Sequence, residues 1–252
     1  MTWGRRIRWL IRLVSITVFV ALLVRCIPNI VVAQMSDGQS QCFGSENNGS
    51  LSDARRLRGT QYAGRPYCKP CVWWLRTYTH SSVSNATFAA YFDLVGEYGQ
   101  QEFRETDWVW GESGWPWGGV FYPHDSHQNG LSVDFMVPLK SAVRFPTEFG
   151  NWFGYSVEFD ENGVMTDDGM GGSFGEIDFH AMAEHLLALQ KPAEKVGGGV
   201  KRVFFADDLR DELFAAPNGH LVQATIKFAR EENQESADEH YHVDFDFPCQ
   251  EL

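Results

Sequence analysis

Two short segments of the chain carry the residues best suited to chemistry. Residues 123–135 read PHDSHQNGLSVDF and residues 238–245 read DEHYHVDF, and together they hold four of the eight histidines. Imidazole nitrogens and carboxylate oxygens are ligands that zinc accepts, and a catalytic zinc takes three of them and leaves a fourth position for water. The two segments therefore predict a zinc site.

The spacing of these residues indicates how they meet. His127 and Asp134 are too far apart in sequence for one turn of a helix, but a turn at Asn129-Gly130 followed by a strand can bring them together. A third ligand is predicted at His242, in a segment where Val and Phe alternate with Asp as in a half-buried strand. On a regular strand His240 faces the same way as His242, which places a second imidazole beside the metal.

The order of the predicted helices and strands that position these residues indicates an α+β fold. Its central sheet is expected to be largely antiparallel and flanked by helices and loops. Helices and strands are interspersed without βαβ alternation, and no phosphate-type glycine loop occurs. Strands are predicted at 132–137, 154–159, 200–206 and 243–247, a turn at 160–163, and helices at 177–190 and 207–214.

The amino terminus reads as an export signal over residues 1–33. This stretch has five arginines and no acid, and residues 13–24 form an apolar run that is short for a membrane span. The alternative is an uncleaved inner-membrane anchor over residues 9–33, with Arg25 at the interface. Both readings place the protein in the periplasm. We predict a flexible polar lead-in at 34–65, rich in Ser, Gly and Asn, and a zinc domain at 66–252.

The net charge and the number of cysteines limit the possible partners of the protein and its compartment. The formal net charge of −12 disfavours nucleic acid as a partner. Beyond the signal lie four cysteines, and in an oxidising compartment an even number predicts two disulfides of open connectivity. Between Cys68 and Cys71 we favour a structural disulfide over a redox pair. The four cysteines are Cys42, Cys68, Cys71 and Cys249.

The segment PHDSHQNGLSVD resembles the SHxxGxxxD motif of the lysostaphin/D-Ala-D-Ala-peptidase group of zinc enzymes. It is most similar to the penicillin-insensitive murein endopeptidases, and EHYHV resembles their closing HxH. The resemblance is specific at these two motifs and is not evident before about residue 115. It implies that His127, Asp134 and His242 bind Zn²⁺.

The resemblance also implies roles for three further residues. His240 would be the catalytic histidine and His124 a second active-site histidine. Glu239 fits the ExxH pattern of related D-Ala-D-Ala peptidases, in which the glutamate is the base, so the base stays open. Strand alternation turns Glu239 away from His242 and favours His240, whereas a β-bulge would favour Glu239. Asp238 is a candidate to orient the His240 ring.

The implied reaction is metal-assisted hydrolysis of peptide crosslinks in peptidoglycan, at D,D- or L,D-bonds. Stem peptides would be the partners, with anchoring at the inner membrane and an envelope-spanning machine as further expectations. Two alternatives remain: a zinc-binding scaffold without turnover, and a D-Ala-D-Ala carboxypeptidase or dipeptidase. The remaining histidines are predicted to be structural or exposed, with His185 on the polar side of its helix: His80, His180, His185 and His220.

Overall fold

The protein divides into two compact units, residues 1–36 and residues 37–252. A computed structural model describes residues 9, 11, 12, 14–17, 39–57, 65–66, 76–96, 103, 106, 108–140, 157–167, 175–230 and 238–252. The described residues of the first unit are helical and exposed. Among all described residues, no helix is both long and apolar enough to cross a membrane. Most of the predicted export signal or anchor lies outside the described residues.

The second unit is built from short strands and a few helices. Its strands are β1 (Gln41–Ser45), β2 (Asn48–Ser52), β3 (Arg55–Arg56), β4 (Arg65–Pro66), β5 (Tyr78–Thr79), β6 (Val109–Trp110), β7 (Ser132–Met136), β8 (Glu158–Phe159), β9 (Met165–Asp167), β10 (Val200–Phe204), β11 (Phe228–Ala229) and β12 (His240–Phe245). Its helices are α1 (Ser81–Val95), α2 (Phe179–Lys195), α3 (Arg210–Ala215) and α4 (Gly219–Thr225), with a 3-10 turn at Asp207–Leu209.

Six of these strands form the main sheet, in the order β11-β10-β12-β7-β6-β4. The central strand β12 runs antiparallel to both of its neighbours, β10 and β7. The described outer pairs, β10 with β11 and β4 with β6, are parallel. The predicted α+β class is confirmed, and the antiparallel part of the sheet is its centre.

Alternation along β12 gives the sheet two different faces. Tyr241, Val243 and Phe245 are buried and alternate with polar residues. The Tyr241 hydroxyl lies 2.6 Å from Nδ1 of His185 on α2, so this apolar face packs against the helix. The opposite face of β12 presents His240, His242 and Asp244. One face of the sheet therefore builds the core, and the other carries the candidate site.

Helix α2 was predicted at 177–190 and is shifted toward the carboxyl end. Ile177 pairs with Leu139 in an isolated bridge, and the Asp178 side chain caps the helix by accepting from the Ala181 N–H at 3.0 Å. The helix continues through Pro192, which is buried. His185 is also buried and stacks on Trp108 at 4.8 Å, so its predicted position on the polar side is wrong. A histidine can pack as an apolar ring, which the helical pattern of polar residues does not reveal.

The predicted flexible lead-in forms a β-hairpin in its described part. Strands β1 and β2 pair along their whole length. A disulfide joins Cys42 to Cys249, and two backbone hydrogen bonds connect the hairpin to Gln250. The prediction from composition was wrong here because Ser, Gly and Asn are equally common in turns, and the ordering contacts come from the far end of the chain. Cys68 and Cys71 lie outside the described residues.

The other predicted elements are found close to their expected places. The strand predicted at 132–137 is β7, and the strand predicted at 243–247 is β12, which begins three residues earlier. The turn at 160–163 is closed by a backbone hydrogen bond from Gly163 to Asp160 at 2.9 Å. The predicted strand at 200–206 is β10, and the short helix after it is the 3-10 turn continued by α3. Part of the predicted strand at 154–159 lies outside the described residues.

Candidate metal centre

Three buried side chains from the two motifs meet on the polar face of the main sheet. Asp134 on β7 and His242 on β12 are directly paired across the strands, and His127 lies in the loop before β7. The distance from Asp134 Oδ1 is 2.8 Å to His242 Nδ1 and 3.3 Å to His127 Nε2. The three potential ligand atoms all lie within 4.8 Å of one another. The structure thus brings the three predicted ligands together.

The loop that carries His127 is held in place by backbone contacts. His127 has a positive φ of 65°, which is uncommon for a residue with a side chain. The Gln128 N–H donates to the Glu46 carbonyl at 2.9 Å, and the Gln128 carbonyl accepts from Gly119 at 2.8 Å. The Gly130 carbonyl accepts from the His80 N–H at 2.8 Å. The hairpin and the start of α1 therefore fix the ring of His127 toward β7.

The protonation of His127 and Asp134 suits a metal ion. Burial lowers the pKa of His127, and the Asp134 carboxylate, 3.3 Å from its Nε2, opposes this shift. Burial opposes ionisation of Asp134, but His127 and His242 outweigh it and hold the pKa of this carboxyl well below its usual value. Burial also lowers the pKa of His242, but Asp244 and Asp134 outweigh it and raise this pKa to about 10, so a metal would have to displace a proton from that ring. The group can hold a metal ion.

His240 and Glu239 contact each other at the edge of this group. His240 opens β12 opposite Met136, and its Nδ1 lies 3.2 Å from Glu239 Oε1. Glu239 precedes the strand, and its carbonyl accepts from the Val137 N–H at 3.1 Å. Strand alternation therefore does not separate the two side chains. Burial lowers the pKa of His240, but Glu239 and Asp134 outweigh it, so the pKa is raised.

Asp238, considered as a group that orients the His240 ring, has a described contact with the neighbouring strand β8. One of its carboxylate oxygens accepts from the Phe159 N–H at 2.7 Å, which ties the start of β12 to β8. Burial and the neighbouring Glu239 raise the pKa of Asp238 to about 6. The carboxylate of Glu239 contacts the His240 ring.

His124 lies beside the ligands, on the side of His127. The centres of these two rings are 5.5 Å apart. His124 Nε2 is 3.0 Å from Oε2 of Glu112, a buried carboxylate that also accepts from Arg76 at 2.9 Å. All six candidate site residues are thus in or next to one cluster, whereas His80, His180, His185 and His220 are not among its ligands.

The chain matches no known family model and no curated protein.

Two residues of the centre were missed in the sequence. Asp244 is buried and lies 2.8 Å from Nε2 of His242, and its signal was available as the third polar residue on one face of β12. Glu112 is buried behind His124 and has no such signal, because it lies in a segment without a motif. Its backbone carbonyl accepts from the Asp134 N–H at 2.9 Å, so it supports the centre from two directions.

Proposed function

We propose that the protein is an exported zinc peptidase that cleaves peptide crosslinks of peptidoglycan. The observation that carries this proposal is the convergence of three buried donor atoms from His127, Asp134 and His242. Two nitrogens and one oxygen without a thiolate suit zinc, and three protein ligands are the number found in catalytic rather than structural zinc sites.

The other residues of the site would have separate roles in the hydrolysis. Bound zinc would supply Lewis acidity toward the scissile carbonyl and the attacking water. Glu239 accepts a hydrogen bond from the Nδ1–H of His240 at 3.2 Å, which leaves Nε2 of that ring to take and return a proton. Glu112 holds His124 through its Nε2, so this imidazole is fixed where it can stabilise charge on the carbonyl oxygen.

The substrate and the compartment are proposed from the sequence. The two motifs resemble those of murein endopeptidases, and an arginine-flanked apolar segment at the amino terminus suits export to the periplasm, cleaved or retained as an anchor. The acidic net charge disfavours nucleic acid as a partner. A zinc scaffold without turnover is less favoured because a proton-carrying pair, His240 and Glu239, lies beside the ligands.

The test is cleavage of crosslinked muropeptides by the purified full chain, with products identified by mass. We expect crosslinked dimers to give monomers, a chelator to stop the reaction and added zinc to restore it. His127→Ala should abolish activity together with zinc binding, whereas the matched change at the exposed His220, His220→Ala, should leave both intact.

Three results would redirect or overturn this proposal. A zinc-loaded protein that cleaves no stem or bridge peptide would favour the scaffold. Release of free D-alanine without loss of crosslinks would favour a carboxypeptidase. Cleavage that persists in the chelator and in His127→Ala would rule out the metal mechanism.

A further inference from the structure

Asp244 is a buried carboxylate that the proposed reaction does not use. It follows His242 by two residues on the same face of β12. Its Oδ1 lies 2.8 Å from Nε2 of His242 and accepts from the Ser132 hydroxyl at 2.6 Å, and its Oδ2 accepts from Nε of Arg202 at 2.7 Å. A buried carboxylate with three such partners is held in one orientation.

These contacts place a carboxylate at each nitrogen of the His242 ring, because Asp134 Oδ1 lies 2.8 Å from Nδ1 and Asp244 Oδ1 lies 2.8 Å from Nε2. A carboxylate can only accept, so each contact needs an N–H donor on that nitrogen. A metal held within the ligand group would take the place of the Nδ1 proton, and Nε2 would keep its proton toward Asp244. Metal-ligating histidines almost always donate their second N–H to a carboxylate, a carbonyl or water, which fixes both tautomer and ring angle.

We propose that Asp244 is a positioning residue that holds His242 in its Nε2–H form and directs Nδ1 at the metal. The inference rests on the metal site of the proposed function and adds a residue that acts through a ligand rather than on the substrate.

The same network connects His242 to the loop of His127. Arg202 donates through Nη2 to Oε1 of Glu46 at 2.8 Å, and Lys201 contacts the same oxygen at 2.8 Å. The backbone carbonyl of Glu46 accepts from Gln128, the residue next to His127. One residue of the hairpin therefore supports both histidine ligands, one through its side chain and one through its backbone.

Asp244→Asn is the informative change because it preserves shape and alters the pattern of donors. Its amide nitrogen must face either the Arg202 Nε–H or the His242 ring. Facing the ring would require His242 to carry its proton on Nδ1, the nitrogen needed by the metal. Asp246→Asn is the matched control, since Asp246 directly follows β12 and is exposed. Ser132→Ala removes one other donor from Asp244 and leaves the carboxylate.

The first measurement is the zinc dissociation constant of the full chain, by competition with a chromogenic chelator. We expect Asp244→Asn to weaken zinc binding about 10- to 100-fold, as loss of such partners does elsewhere. Asp246→Asn should leave it unchanged, and Ser132→Ala should have a smaller effect than Asp244→Asn. Unaltered zinc affinity in a folded Asp244→Asn protein would overturn the inference and leave the proposed function standing.

The second measurement needs no variant. Long-range ¹H–¹⁵N spectra of the zinc-loaded protein with labelled histidine report which nitrogen of His242 is protonated. A proton on Nε2 with the metal on Nδ1 is expected, and the reverse would contradict the inference even if Asp244→Asn did not fold. A parent protein that binds no zinc would overturn the inference and the proposed function together.

Discussion

His240 and Glu239 are the two candidates for the base of the proposed reaction. The sequence left the base open between them and favoured His240, because alternation along a regular strand would turn Glu239 away from His242. Glu239 instead precedes β12 and lies 3.2 Å from Nδ1 of His240. In the proposed reaction this contact makes Glu239 the orienting group of the His240 ring, as a carboxylate orients a catalytic imidazole in known hydrolases. His240 would then carry the proton.

Kinetics of two variants should separate these roles. His240→Ala is expected to lower kcat by about 10²- to 10⁴-fold, the usual contribution of a general acid–base, while zinc stays bound. Glu239→Gln should lower it less, because the imidazole remains and loses only its orienting charge. The measurement is kcat on a crosslinked muropeptide with zinc content determined in parallel. The reverse order of effects would assign the base to Glu239.

At the scale of elements, the site depends on a loop held between the hairpin and α1. Gly130 closes this loop with a positive φ of 75°, and a Cβ there would lie 2.7 Å from the His80 nitrogen and 2.8 Å from Leu51. Gly119 has a similar φ of 79°, but a Cβ there would have no atom within 4 Å. The two glycines share a left-handed backbone conformation, but only at Gly130 would an added Cβ meet neighbouring atoms.

This pair gives a prediction with a built-in control. Gly119→Ala should cost about 1–2 kcal/mol of unfolding free energy, from the left-handed backbone alone. Gly130→Ala should cost a further ~1–3 kcal/mol, because its Cβ meets backbone that cannot move freely. It should also weaken zinc binding, since the displaced loop carries His127. Urea unfolding and zinc titration of both variants are the measurements, and equal losses would contradict the prediction.

The strands and the ligands were predictable because their signals are local. Alternation of Val and Phe with polar residues reveals β12, and the turn at Asn129-Gly130 reveals the approach to β7. The role of Glu46 was not predictable, because it depends on Arg202, a residue distant in sequence. The place of Asp244 on one face of β12 was visible in the sequence, but its contact with Arg202 was not. The hairpin was missed for the same reason: its order depends on Cys249 and Gln250, and the polar composition of β1 and β2 does not distinguish a strand from a tether.

At the scale of the whole second unit, its two ends are joined behind the site. The disulfide from Cys42 to Cys249 and the ion pairs of Glu46 with Lys201 and Arg202 fasten the hairpin to β10 and to the chain that follows β12. The hairpin, β10 and the chain that follows β12 are thereby held together around the polar face of the sheet. The apolar face packs against α2, where His185 is buried among Tyr91, Trp108, Phe135 and Tyr241.

The burial of His185 predicts how the stability of the protein depends on pH. Burial lowers the pKa of His185 from 6.5 to about 3. Above pH 6.5 the ring is neutral in both states and its contribution is constant. Below that pH the unfolded state binds a proton that the folded state does not, so stability falls as the pH drops toward 3. Between about pH 6.5 and 5 the loss from this group approaches ~2 kcal/mol.

His185→Gln removes the titrating ring and keeps a polar partner for the Tyr241 hydroxyl. The variant should be less stable than the parent at neutral pH, and the difference should shrink by about 1–2 kcal/mol on going to about pH 5. His220→Gln, an exposed histidine, should leave the pH profile unaltered. Urea unfolding at several pH values gives both curves. A difference between His185→Gln and the parent that stays constant with pH would mean that His185 takes up a proton in the folded protein.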